Sequence, residues 1–104
     1  MLEVEGGHLL SQTPAILQYL AWGTDLLGKT PFEKAQVDQW MSILRTETWP
    51  LTKTLASFVF GHQDCDSQEH THIYNLMKEN IKVINNALKS KQFLVGDSLT
   101  IADL

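Results

Sequence analysis

The sequence predicts a mainly α-helical fold, a helical bundle preceded by a short β-hairpin and a single helix. Three observations carry this. Apolar residues recur at helical spacing over two long stretches, from Val37 to Thr48 and from Ile73 to Leu88. A Thr or Asp followed three residues later by an acid, the signature of a helix start, occurs at Thr30/Glu33, Asp66/Glu69 and Thr100/Asp103. Near the amino terminus, Gly6-Gly7 separates two short runs of mixed apolar and polar residues, as in a hairpin. Residues 1–22 then form a hairpin and helix, 23–29 a linker, and 30–104 the helical domain.

The hairpin is expected from MLEV, a turn at Glu5-Gly6-Gly7 where glycine takes positive φ, and HLLSQ. Two strands alone are marginal, so further strands are expected upstream of Met1. Thr13 before Pro14 suits an N-cap and first helical residue, and Ile16, Leu17 and Leu20 share a face. WGTDLLGK, with two glycines and no sustained period, reads as the linker. Thr30, Pro31 and Glu33 open the next helix, whose stripe Val37, Trp40, Met41, Leu44 and Thr48 should face a core. Pro50 lacks a donor and is expected to break or kink the run at Trp49, with a second helical stretch from Leu51 to about Phe60. After a polar loop from Gly61 to Asp66, the longest helix runs from Gln68 to Ser90, roughly 35 Å at about 1.5 Å per residue. Its expected stripe is Ile73, Leu76, Met77, Ile81, Ile84 and Leu88, with Lys78, Glu79, Lys82, Asn86 and Lys89 off it.

The closing stretch FLVGDSLTIADL sets Thr100 as N-cap and Asp103 as the reciprocating acid at N3. Leu99 before the cap and Leu104 at the fourth helical position are spaced as a hydrophobic staple. The helix so begun is expected to continue beyond Leu104, so the sequence is expected to be a piece of a longer chain.

Composition narrows the function classes. With 104 residues, 43% hydrophobic and 19% charged, the chain is globular rather than disordered. A net charge of −4 offers no overall basic field for nucleic-acid phosphates. No apolar run approaches the roughly 20 residues of a membrane span, and MLEVEGG lacks the features of a signal peptide, so a cytoplasmic location is expected. The single Cys65 excludes an internal disulfide, and the flanking Asp64 and Asp66 disfavour its thiolate, which leaves a plain loop residue.

His62, Cys65, His70 and His72 invite a metal reading, but their spacing matches no common zinc pattern. Residues two apart on a helix point about 200° from one another; no metal is expected. Trp22, Trp40 and Trp49 lack interleaved Arg and Lys, so core or interface packing is preferred to base stacking. No nucleophile elbow, zinc-protease motif or phosphate-cradling glycine loop is present, and no catalytic residue can be named. Gln12-Thr13 is the polar pair with a binding claim. Where a strand gives way to a helix start, a side-chain amide, a hydroxyl and free backbone N–H groups converge at the positive end of a helix dipole, a place suited to a small carboxylate. The competing reading is that Thr13 only caps its helix.

The order strand, turn, strand, helix, linker and bundle, with Phe93-Leu94-x-Gly96-x-x-x-Thr100-x-Ala102-Asp103, resembles the glutathione transferase superfamily along essentially the whole chain. LLSQTPAILQYL looks like the end of that family's thioredoxin-like domain, and residues 30–104 like its C-terminal helical domain, truncated at its end. The resemblance implies that Gln12 and Thr13 occupy the glutathione-binding Gln/Glu-Ser positions, with Thr keeping the hydroxyl. It also implies that Leu99, Thr100, Asp103 and Leu104 are a folding device of the helical domain.

Within the superfamily, Thr30-Pro31, Ala35-Gln36-Val37, Gln39-Trp40 and the Phe93 to Asp103 run are most similar to the elongation factor 1 gamma subunits. That resemblance implies a non-catalytic scaffold of the guanine-nucleotide-exchange complex in translation. Its partners would be other elongation factor 1 subunits, with a homodimer through the transferase-like fold, and with no nucleic acid, membrane or cofactor. The alternatives are a glutathione transferase conjugating glutathione to electrophiles, and an assembly domain of a multi-synthetase complex. Glutathione is the ligand the fold admits.

Overall fold

A computed structural model describes residues 1–64 and 66–104; Cys65, read above as a loop residue, lies outside the described residues. The chain forms two compact units, one of residues 1–41 with 92–104 and one of residues 42–91.

The first unit opens with strands β1 (Leu2–Val4) and β2 (His8–Leu10), antiparallel, with Leu2 opposite Leu10 and Val4 opposite His8. Gly6 and Gly7 turn the chain at φ of 84° and 76°, a conformation that a Cβ would resist. Helix α1 spans Thr13–Leu20. A short 3₁₀ turn, Asp25–Leu27, follows, held by the Thr24 hydroxyl, which donates to the Ala21 carbonyl at 2.7 Å and accepts from the Leu26 N–H at 3.3 Å. The stretch read as a linker thus contains an ordered turn, for which Thr24 supplies a side-chain cap.

Helix α2 spans Pro31–Ile43. Its start is a reciprocal capping box: Glu33 N–H donates to the Thr30 hydroxyl at 3.1 Å, while Glu33 Oε2 accepts from Thr30 N–H at 3.2 Å and Lys29 N–H at 2.6 Å. Residues 92–104 return to this unit and supply most of its core. Leu94, Val95, Ile101 and Ala102 are buried, together with Ala21 and with Val37 of α2. Each fully buried Val, Leu or Ile among them contributes about 1.5–3 kcal/mol, and each Ala less.

The second unit holds a π-helical turn, Leu44–Thr48, followed by α3 (Trp49–Val59) and α4 (Ser67–Ala87). Of the break or kink expected at Pro50, the structure shows no break into a loop but a local distortion of the helix, the π turn just before it. The widened turn, in which Trp49 N–H reaches back to the Leu44 carbonyl, carries the chain past the proline, which cannot donate and would crowd the carbonyl four residues before it. Proline then sits in the first turn of α3, where its missing donor costs nothing. Asp66 caps α4 by accepting from Gln68 N–H at 2.8 Å and Glu69 N–H at 2.7 Å. The two helices lie against one another, with Leu51, Leu55 and Phe58 half-buried on α3 and Ile73, Met77 and Ile84 on α4. Thr48 donates to Asn80 Oδ1 at 2.5 Å, tying the π turn to α4. The stripe expected on α4 is divided, since Leu76 and Ile81 are 42% and 53% exposed. At about 100° per residue they project to opposite sides of the row Ile73, Met77 and Ile84. Among the described residues no helix is long and apolar enough to cross a membrane.

Candidate functional site

The polar corner at the start of α1 is built by the exit of β2. Gln12 is the N-cap residue at φ 72° and ψ 120°, the one non-glycine with positive φ among the described residues, and its carbonyl accepts from Ile16 N–H at 3.1 Å. Left-handed φ in a glutamine stores local strain, a cost that tends to persist where the surrounding structure fixes a backbone for binding. The helix begins at Thr13 itself, one residue earlier than a Thr13 cap would place it, and no side chain caps it. Gln12 and Thr13 are both exposed, and no hydrogen bond of the Thr13 hydroxyl is made among the described residues. The Thr13 hydroxyl thus lies exposed at the positive pole of an eight-residue helix whose start no side chain caps.

Next to this corner, α1 and α2 enclose an open groove. Ala15 and Tyr19 of α1, with Trp22 in the turn after it, face Val37 and Asp38 of α2. Gln18 closes the rim by donating to Asp38 Oδ1 at 2.6 Å. Trp22 is 81% exposed and Tyr19 half-exposed, so the groove presents aromatic surface beside a polar edge.

The residues expected to start a terminal helix form a tight clamp. Thr100 is 2% exposed and caps a 3₁₀ turn, Ile101–Asp103, with its hydroxyl accepting from Ala102 N–H at 3.3 Å. Asp103 Oδ2 accepts from Thr100 N–H at 3.0 Å and from the Thr100 hydroxyl at 3.1 Å. Its Oδ1 accepts from Leu94 N–H at 2.8 Å. That last bond, nine residues away in sequence, had no signal in the capping pattern, which predicts only contacts three residues apart. Leu99 and Leu104 are 45% and 76% exposed. Sequence reasoning also missed the ion pair of Lys29 with Asp97, 2.8 Å, which closes the turn before α2 onto the Gly96 loop. Hydrogen bonding and charge from each partner raise the Lys29 pKa and lower that of Asp97. The arrangement fixes the backbone of the closing segment and of the turn before α2. Among the described residues no three His, Cys, Asp or Glu side chains lie together as a metal site.

No family model matches the chain. It is 30% identical over 102 residues to elongation factor 1-gamma of Artemia salina, an alignment covering 98% of this chain and 24% of that protein. It is 32% identical over 102 residues to a glutathione S-transferase-like protein of Fusarium sp, covering 94% of this chain and 47% of the relative. The chain therefore spans at most about half the length of these relatives. Among solved structures, a glutathione S-transferase from Pseudomonas fluorescens superposes with a TM-score of 0.86 at 26% identity, over 97% of this chain and 51% of that one. The hairpin, the helix after it, the two helical stretches joined at Pro50 and the clamped closing turn together make this a glutathione S-transferase-like fold, with elongation factor 1-gamma among its named relatives.

Proposed function

We propose that this chain is the transferase-like region of a non-catalytic scaffold of the elongation factor 1 gamma type, which assembles the guanine-nucleotide-exchange complex of translation in the cytoplasm. The observation that carries this reading is the likeness to elongation factor 1-gamma over 98% of the chain. The surface is in keeping with it: Trp22, Phe32, Trp49 and Phe60 are each more than 60% exposed, which suits a region that acts by surface complementarity rather than bond-making. The mechanism is positional. A rigid helical surface holds partner subunits in register, and other elongation factor 1 subunits are its partners. The full-length protein used as bait should retain those subunits at low salt, and a clean failure to do so removes the reading.

A second reading, a glutathione transferase, is favoured by one observation. The strained Gln12 and the unengaged Thr13 hydroxyl form a corner suited to the carboxylate end of glutathione. Retention of the full-length protein on immobilised glutathione, lost in Thr13→Ala, supports ligand binding at this corner. Conjugation of glutathione to an electrophile by the same protein decides for the enzyme.

A further inference from the structure

We draw no further inference here: the strongest candidate, the open groove between α1 and α2 beside Tyr19, Trp22 and Val37, is an apolar face in a chain that spans at most about half the length of its relatives, and nothing in the structure shows what covers it.

Discussion

The two units use the same helical material to different ends. Every residue that is buried among the described ones lies in the first unit, from Ala21 and Val37 to the run Leu94, Val95, Thr100, Ile101 and Ala102. The second unit, with the longest helix of the chain, has none. Burial thus does not follow helix length or apolar content. It follows convergence: the first unit folds residues 92–104, a segment with little regular structure, onto α1 and α2, so that short side chains are covered from several directions. Two helices side by side cover each other only along one strip, and the flanks of α4 stay in water. The first unit is accordingly where single changes should be costly, and the second is where they should cost less.

The largest effect that would break this contrast falls on Gly28. It is buried, at φ 89° and ψ 151°, and a Cβ placed there would lie 2.8 Å from the Glu33 Cβ and 3.0 Å from the Glu33 carbonyl carbon. Gly28→Ala combines a backbone region open to glycine alone with a clash against the fixed first turn of α2, and should cost about 3 kcal/mol. Urea unfolding measures it. A cost within about 0.5 kcal/mol, the level of an ordinary surface change, would show that the turn is not held as tightly as the capping box of Thr30 and Glu33 implies.

A paired truncation sharpens the comparison on a smaller scale. Val37, 1% exposed in α2, and Met77, half-buried on the inner strip of α4, stand for the two units. Val37→Ala should cost about 2 kcal/mol, because the cavity is enclosed and cannot collapse, whereas Met77→Ala, with more side chain removed, should cost about 1 kcal/mol or less because solvent refills the gap. The same urea titration compares them. A larger loss for Met77 would mean that the second unit contains a tighter core than its exposure indicates.

Periodicity and capping chemistry made much of this legible in advance. Thr30/Glu33, Asp66 and Thr100/Asp103 act at helix or turn starts as their spacing requires, and the stripe from Val37 to Thr48 faces inward, because these signals depend on residues within one or two turns. What escaped was non-local or a matter of degree. The Asp103 bond to Leu94 N–H and the Lys29 pair with Asp97 join residues 9 and 68 apart, set by how the chain returns on itself. The form of the distortion at Pro50 had no signal, because a proline's missing donor can be absorbed by widening the helix as well as by breaking or kinking it. The division of the α4 stripe was hidden because hydrophobicity marks which residues prefer burial, and only a neighbour's presence decides which obtain it. At Gln12 and Thr13 the residue types and the strand-to-helix position were readable, but the left-handed φ of a glutamine has no counterpart in the sequence pattern.

The smallest effect tests whether charge, rather than shape, closes the first unit's turn. Lys29 lies 2.8 Å from Asp97, with side chains 46% and 85% exposed, so water and salt screen most of the attraction. The hydrogen bond from Lys29, and next its charge, lower the Asp97 pKa, so the folded state holds this proton less readily than the unfolded state does. The contribution is therefore present above the ordinary carboxylate range and is lost as pH falls through the lowered value. For Lys29, raised by the same hydrogen bond and charge, the contribution is present below its ordinary value and is lost as pH rises through the raised one. Asp97→Asn should lower the urea midpoint slightly at neutral pH, and that difference should shrink in acid and again in about 1 M salt, where the Debye length falls to about 3 Å. A difference that persists unchanged under both conditions would assign Asp97 to the shape of the Gly96 loop instead. The closure of the first unit would then rest on the uncharged contacts of its buried residues.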